Sequence, residues 1–218
     1  MILDMKSCVI ITSYFHGDLK EVLSEIEFDF VLCADGGYRH AAAAGIHPNL
    51  VVGDFDSYTL GIPSDIKTLP LPIEKDDTDT VYSLKYAISE GAEHVYIIGG
   101  LGGRLDHTVS NLQSLAYAAG KGIKAYIIDE QNVVSLLSCG QPAVPQVMHI
   151  KKRPGYKLSL LSYSEKCEGV SVSGTHYTLS DASLTNAFPL GVSNEFEEDV
   201  AEVRMSEGQL LVILSKDL

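Results

Sequence analysis

Apolar and polar positions follow two alternating patterns over about the first 130 residues of the chain. Short continuous apolar runs, typical of buried strands, are separated by segments in which apolar residues recur every three or four positions, as in helices. The predicted strands are residues 6–14, 30–34, 48–53, 66–71, 95–98 and 125–128. The predicted helices are residues 18–26 and 38–44, a third beginning near Thr78 and a fourth beginning near Leu105. This alternation predicts a mostly parallel sheet with helices on both faces.

The last two of these helices carry signals for their start and for their buried face. Asp77 and Thr78 both suit the N-cap of the third helix, because their side-chain oxygens can accept a hydrogen bond from a first-turn N–H. The fourth helix has one apolar stripe, which we expect to face the core: Leu105, Val109, Leu112, Ala116 and Ala119.

The pattern changes past Asn132, where helical periodicity disappears. Short runs rich in Val, Leu, Ser and Tyr then lie between turn signals, at residues 133–137, 147–150, 157–163, 170–172, 183–186, 200–205 and 210–214. Residues 206–209 predict a hairpin turn between the last two runs. The fold class is therefore α/β, with an N-terminal α/β domain at residues 1–132 followed by a C-terminal all-β sandwich domain at residues 133–218.

Composition and charge narrow the range of partners. A chain of 218 residues with 45% hydrophobic content can bury a core of ordinary size, and no apolar run approaches the roughly 20 residues of a membrane span. The N-terminus does not resemble a signal peptide, so we expect a soluble, cytoplasmic protein. A formal net charge of −13 argues against nucleic acid or an anionic membrane as partner, since both require a basic surface.

The metal-binding residue types favour a hard cation. Four widely spaced cysteines and seven histidines form none of the usual zinc-binding patterns. Carboxylates, in contrast, follow several predicted strands. Asp54 and Asp56 are two apart and would share one face of an extended chain, so both can reach one ion, although a solvated turn explains the same pair. We expect Mg²⁺, held by Asp54 together with Asp56 or Asp79, with substrate phosphates completing its coordination.

A glycine-rich turn, Gly99–Gly103, follows the fifth predicted strand and leads into a helix that begins beside Arg104. Main-chain N–H groups of such a turn can approach a phosphate, and an arginine adds further donors. A glycine-rich turn without any ligand remains the alternative. His107 would either cap the helix or touch a nucleotide, and Asn132 would either contact a nucleotide or cap a turn.

Several motifs, in their order along the chain, resemble thiamine pyrophosphokinase of the bacterial type. They are Gly45-Ile46-His47-Pro48 with Gly53-Asp54-Phe55-Asp56-Ser57, then Lys75-Asp76-Asp77-Thr78-Asp79, then Gly99-Gly100 with Arg104-Leu105-Asp106-His107 and Asn111, and finally Gly191-Val192-Ser193-Asn194-Glu195. One departure is Asn49, where an Asp commonly follows the proline. The resemblance implies Mg²⁺-dependent transfer of the diphosphate of ATP to the thiamine hydroxyl. It also implies a homodimer with its active site between subunits.

The resemblance also assigns roles to individual residues. It implies that the acidic metal and catalytic set consists of Asp35, Asp54, Asp56, Asp79 and Asp106. The residues that resemble ATP contacts are Asp35, Thr78, Gly100, Arg104, His107 and Asn132. Ser193 and Asn194 match the motif that lies against thiamine. Because the chain has no Trp, a Phe or Tyr must supply any aromatic contact to thiamine, and Phe196 lies beside that motif.

Two other functions remain open at this stage. Asp54-Phe55-Asp56 superficially resembles the D-x-D motif of aspartyl-phosphate phosphatases, but Tyr58 stands where those enzymes usually carry Thr or Val. A non-catalytic nucleotide sensor would bind ATP without turning it over. A phosphorylated Asp54 would indicate the phosphatase.

Overall fold

The computed structural model describes residues 5–54, 61–72, 76–140 and 144–217. The chain divides into two compact units, Met1–Glu130 and Gln131–Leu218. Each unit has its own hydrophobic core.

The first unit is built on a parallel sheet. Its strands within the described residues are β1 (Ser7–Ile11), β2 (Phe30–Ala34), β3 (Leu50–Gly53), β4 (Thr68–Pro70), β5 (His94–Ile98) and β6 (Lys124–Ile128). They lie in the order β4-β3-β2-β1-β5-β6, and every neighbouring pair is parallel. Three of these strands, β1, β2 and β3, are almost wholly buried, which explains their largely apolar sequences.

Helices cover both faces of this sheet. They are α1 (Leu19–Ser24), α2 (Gly37–Ala43), α3 (Asp79–Ser89) and α4 (Leu105–Gly120). Helices α1 and α2 share a core with alternate residues of β1 and β2, such as Val9, Ile11 and Val31. Helix α3 packs against β1, β2 and β3, and α4 packs against β6, on the opposite face. Thr78 caps α3, since its Oγ1 accepts a hydrogen bond from the N–H of Val81 at 3.2 Å, and this confirms one of the two predicted caps.

The predicted inward stripe of α4 is wrong. Leu105 and Val109 are exposed, and the buried residues are Asn111, Ser114, Leu115 and Ala118. Two polar side chains belong to the buried face because each has a hydrogen-bond acceptor there. The Asn111 amide donates to the carbonyl of Gly100 at 2.8 Å, and the Ser114 hydroxyl donates to the carbonyl of Ser110 at 3.0 Å.

The second unit is a sandwich of two antiparallel sheets. Its strands within the described residues are β7 (Asn132–Ser138), β8 (Gln146–Lys151), β9 (Tyr156–Ser162), β10 (Lys166–Ser173), β11 (Leu179–Thr185), β12 (Val200–Met205) and β13 (Gln209–Lys216). One sheet has the order β7-β13-β9 and the other has the order β11-β10-β12-β8. Residues from both sheets, including Leu158, Val170, Val203 and Leu210, form a single core between them.

The predicted hairpin at residues 206–209 is also wrong. Strand β12 pairs with β8 and β10, whereas β13 pairs with β7 and β9 in the other sheet. The segment therefore crosses from one sheet to the other. Gly208 suits this crossing because its φ is 104°, and a Cβ there would lie 2.6 Å from the carbonyl oxygen of Lys166.

The predicted fold class is confirmed, with a parallel α/β unit followed by an all-β sandwich. Among the described residues, none of the helices combines the length and apolar character that crossing a membrane requires.

Candidate active site

The strand order of the first unit reverses direction between β1 and β5. From β1 the chain continues to β2, β3 and β4 on one side, and it then returns to β5 and β6 on the other. The loops that follow β1 and β5 therefore leave the sheet in opposite directions. In open α/β sheets, ligands bind at such a point, outside the carboxyl ends of the strands.

Two of the predicted carboxylates follow neighbouring strands at this edge. Asp35 comes directly after β2 and Asp54 directly after β3, and both are half-buried. The N–H of Asp35 donates to the carbonyl of Val52 at 2.6 Å, so the two strand ends are in contact. A Cβ on Gly53 would lie 3.0 Å from the Asp35 Cα. Glycine at position 53 is thus what allows Asp35 and the chain leading into Asp54 to approach.

A third carboxylate, Asp79, is the first residue of α3 and follows the Thr78 cap. The turn before it is held by an ion pair, in which the Lys85 ammonium lies 2.6 Å from the nearer oxygen of Asp77. The hydrogen bond that Lys85 donates to Asp77 raises the pKa of Lys85 above its usual value. Because this pair links the turn to the second turn of α3, the main chain on both sides of Asp79 is fixed.

The predicted partner of Asp54 cannot be placed. Asp56 belongs to residues 55–60, outside the described part of the chain, and Lys75 falls outside it as well. Within the described ranges, no three or more His, Cys, Asp and Glu side chains form a group that could hold a metal ion. Asp35 and Asp54 nevertheless offer hard oxygen donors from adjacent strands. This donor set fits Mg²⁺, which is usually held by one or two carboxylates and substrate phosphates.

The glycine-rich turn after β5 adopts a conformation that few other residues could share. Gly99, Gly100, Gly102 and Gly103 have φ values of 81°, 80°, 86° and 63°. A Cβ on Gly99 would lie 2.3 Å from the carbonyl oxygen of Tyr14, and one on Gly100 would lie 2.5 Å from the amide nitrogen of Asn111. The glycines are therefore required by both φ and close contacts.

Most of the N–H groups of this turn are used within the chain. Gly99 donates to the carbonyl of Ile128 at 2.8 Å, Gly100 donates to the carbonyl of Tyr14 at 2.7 Å, and Gly102 donates to the hydroxyl of Thr108 at 3.1 Å. The sequence predicted that N–H groups here would approach a phosphate. In this conformation the donors for such a contact are those of Leu101 and Gly103.

Arg104 and Asp106 form an ion pair at the start of α4. Arg104 Nη2 lies 2.6 Å from Asp106 Oδ2, and Arg104 Nε lies 3.1 Å from Asp106 Oδ1. The arginine holds the pKa of the Asp106 carboxyl below its usual value. His107 follows in the first turn, exposed, and its N–H donates to Asp106 Oδ1 at 3.0 Å.

The three predicted site residues of the second unit differ in their surroundings. Asn132 is half-buried at the start of β7. Ser193 is exposed, with a φ of 59°, and its N–H donates to the hydroxyl of Ser159 at 2.9 Å. Asn194 is buried, and its side chain bonds three groups of one segment. Its amide nitrogen donates to Thr175 Oγ1 and to the Tyr177 carbonyl, and its amide oxygen accepts the Tyr177 N–H.

Asn194 therefore fastens the main chain of Tyr177, whose own ring is 71% exposed. The His176 ring meets the Tyr177 ring edge-on, at a centroid separation of 4.7 Å, and is itself held 2.8 Å from a Glu197 oxygen. Phe196, the aromatic considered from the sequence, is buried in the sandwich core instead. Tyr177 was not among the candidate residues expected from the sequence, although its position three residues after Gly174 indicates a loop.

Sequence profiles of known families match both units. The profile described as "Thiamin pyrophosphokinase, catalytic domain" matches residues 21–127, inside the first unit. The profile described as "Thiamin pyrophosphokinase, vitamin B1 binding domain" matches residues 146–210, inside the second. The two matches occur in the order in which the sequence motifs were found.

Individual proteins agree with the profiles. A thiamine pyrophosphokinase of Bacillus subtilis is 30% identical over 179 residues, which are 80% of this chain and 81% of that protein. The crystal structure of thiamine pyrophosphokinase from Bacillus subtilis has a TM-score of 0.86 and 26% identity, and it covers 98% of this chain and 100% of its own. The yeast enzyme, at 14% identity, shares the fold with a TM-score of 0.77, over 98% of this chain and 87% of its own. This chain belongs to the thiamine pyrophosphokinase family.

Proposed function

We propose that this chain is a thiamine diphosphokinase, which transfers the diphosphate of ATP to the hydroxyl group of thiamine and releases AMP. The observation that carries the proposal is that Asp35 and Asp54 follow neighbouring parallel strands in the unit matched by the catalytic profile. Asp79 begins α3, and Arg104 is the N-cap residue of α4. In the reaction, the thiamine oxygen forms a bond to the β-phosphorus. The bond from that phosphorus to the α,β-bridging oxygen breaks, and the hydroxyl proton passes to a carboxylate.

ATP and Mg²⁺ belong, in this proposal, to residues 1–132. Asp54 with Asp56 or Asp79 would hold the ion, and Asp35 adds a carboxylate from the neighbouring strand. The bound metal would neutralise negative charge on the phosphate oxygens. Arg104 contributes positive charge to the same anion, while Thr78, Gly100, His107 and Asn132 would complete the ATP contacts.

Where Asp54 and Asp56 hold the ion, Asp79 is a better proton acceptor than Asp106. Asp106 already accepts two hydrogen bonds from Arg104, and the lowered pKa makes it a weaker base. We therefore assign Asp106 the role of orienting Arg104, and Asp79 the role of accepting the proton of the thiamine hydroxyl.

Thiamine would bind to residues 133–218, against Ser193 and Tyr177. The Tyr177 ring is exposed and its main chain is held by Asn194, which suits a platform for a cationic aromatic ring. Asn194 supports this surface by holding Tyr177 rather than by touching thiamine, because its buried amide already makes three hydrogen bonds.

We further propose a cytoplasmic homodimer with each active site formed between subunits. The cysteines support a reducing compartment, since all four are free thiols. The dimer can be tested by mixing Asp54→Asn chains with Tyr177→Ala chains. Activity that returns on mixing indicates a site built from two chains, and a mixture as inactive as its components contradicts it.

The enzyme is tested by incubating the chain with ATP, Mg²⁺ and thiamine and separating the products. Equal yields of AMP and thiamine diphosphate establish diphosphate transfer. ADP or free phosphate would indicate a different kinase or a phosphatase, and ATP binding without turnover would indicate a sensor.

A matched pair of variants then tests the acidic edge. Asp54→Asn is expected to abolish Mg²⁺-dependent turnover while the fold survives. Asp29→Asn is the control, because Asp29 precedes β2 at the opposite edge, where its carboxylate accepts the main-chain N–H groups of Lys6 and Ser7. Full activity in a folded Asp54→Asn protein contradicts the metal assignment.

A further inference from the structure

Tyr14, in the loop after β1, touches the glycine-rich turn with both its main chain and its ring. Its carbonyl accepts the N–H of Gly100 at 2.7 Å. A Cβ on Gly102 would lie 3.1 Å from the Tyr14 ring, and one on Gly103 would lie 2.7 Å from it. The ring therefore rests directly on the main chain of these two glycines, at the point between β1 and β5 where the fold predicts a ligand.

Helix α2 holds the residue before Tyr14 in place. The carbonyl of Ser13 accepts a hydrogen bond from Arg39 Nη2 at 2.7 Å, and His40 Nε2 lies 3.0 Å from the same oxygen. The helix comes this close because residue 37 is glycine, where a Cβ would lie only 2.0 Å from the carbonyl oxygen of Ile11. With Ser13 anchored, the main chain of Tyr14 is held beside the turn.

On its other side, the turn is held by α4. The Thr108 hydroxyl accepts the Gly102 N–H at 3.1 Å, and the Asn111 amide donates to the Gly100 carbonyl at 2.8 Å. The main chain of Gly103 has the Tyr14 ring as its close neighbour. Four glycines with positive φ have wide conformational freedom, so a turn of this composition keeps one shape only where its surroundings impose it.

We propose that Tyr14 is a positioning residue for ATP, which holds Gly103 in the conformation that receives the phosphates. The inference rests on the proposed function for its ligand. Removing the ring leaves the hydrogen bond between the Tyr14 carbonyl and Gly100 in place. It removes the contact that restrains the main chain of Gly103. The fraction of molecules ready to bind ATP then falls, and the apparent Kd rises in proportion.

The test is to measure ATP binding by calorimetry for wild type, Tyr14→Ala and Tyr14→Phe. If the competent fraction falls to about one tenth, Tyr14→Ala raises the Kd for ATP about tenfold. Tyr14→Phe retains the ring and is expected to bind ATP as wild type does. The Kd for thiamine is expected to be the same in all three proteins.

Tyr117→Ala is the matched control, since Tyr117 is 39% exposed and Tyr14 is 40% exposed, but Tyr117 lies on α4 between Lys85 and Lys121. It is expected to leave ATP affinity unchanged. The coupling between Tyr14 and Gly103 can be measured with Gly103→Ala, whose added methyl group would meet the Tyr14 ring. This variant is tested alone and in combination with Tyr14→Ala. The double variant is expected to bind ATP no worse than Gly103→Ala, because no ring is left to collide with.

The result that overturns the inference is a Tyr14→Ala protein that keeps wild-type ATP affinity, or one in which thiamine and ATP affinity fall together. A wild-type protein that binds ATP but forms no thiamine diphosphate instead refutes the proposed function, and leaves the role of Tyr14 in ATP binding to be decided by the calorimetry.

Discussion

Arg104 and Asp106 bind each other through two parallel hydrogen bonds, of 2.6 Å and 3.1 Å, at the first turn of α4. Two side chains that the sequence assigned to different tasks, nucleotide binding and acid–base chemistry, are thus one unit. A carboxylate in such a pair is stabilised in its charged form, so it orients the guanidinium better than it accepts a proton.

The same substitution at two carboxylates separates these roles. We expect Asp79→Asn to lower kcat by about 10²- to 10⁴-fold, because it removes the proton acceptor. We expect Asp106→Asn to raise the KM for ATP, since Arg104 loses one of its two acceptors, with kcat reduced by less than about tenfold. Steady-state kinetics at varied ATP concentration give kcat and the KM for ATP in both variants. Equal losses of kcat in the two variants would show that Asp106 is the base or shares that role.

Gly100 provides a test of the glycine-rich turn that does not depend on activity. We expect Gly100→Ala to lower the free energy of unfolding by about 2–4 kcal/mol, because of its φ of 80° and the contact with Asn111. Gly120→Ala is the control. A Cβ at position 120, at the end of α4, would meet nothing within 4 Å. Gly120→Ala should therefore raise the free energy of unfolding by about 0.5–1 kcal/mol. Urea titrations measure the free energy of unfolding of both variants. Similar changes in the two variants would contradict the described conformation of the turn.

Asn194 is expected to stabilise the second unit as well as support thiamine binding. Asn194→Ala leaves groups of Thr175 and Tyr177 without their partner, at a cost of about 2–4 kcal/mol in the free energy of unfolding. Asn186→Ala, at an exposed asparagine of the same unit, should change it by less than about 0.5 kcal/mol. A further expectation is a raised KM for thiamine in Asn194→Ala. An unchanged stability would mean that the amide does not hold Tyr177.

The sequence predicted some elements closely for a clear reason. Residues 30–34 and 200–205 were predicted as strands and have those same bounds, because continuous or alternating apolar runs have few other stable arrangements. The buried face of α4 was predicted wrongly because only apolar residues were assigned to it. Asn111 is polar but belongs to that face, since its amide donates a hydrogen bond to Gly100. The hairpin predicted at residues 206–209 was wrong because these residues suit a crossing between sheets as well as a hairpin.

Candidate site residues can be predicted from sequence where residue type limits the chemistry, and they cannot where neighbouring residues decide the role. Carboxylates after strands, such as Asp35 and Asp54, are recognisable because parallel strands end at one edge. Nothing in the sequence around Tyr14 or Tyr177 separates them from the other tyrosines. The roles proposed for them rest on contacts with Gly103 and Asn194, residues distant in the sequence.

The buried cysteines give a last prediction, which concerns thiol reactivity. Burial raises the pKa of Cys8 and of Cys33 to about 12, so at pH 8 only about one molecule in 10⁴ carries the reactive thiolate at either position. Cys167 is buried as well, and Cys139 is the half-buried one. With iodoacetamide at pH 8, we expect Cys139 to be alkylated first and the other three only after unfolding in urea. Peptide mass spectrometry locates the label. Rapid alkylation of Cys8 or Cys33 in the native protein would mean that β1 or β2 opens to solvent far more often than their complete burial implies.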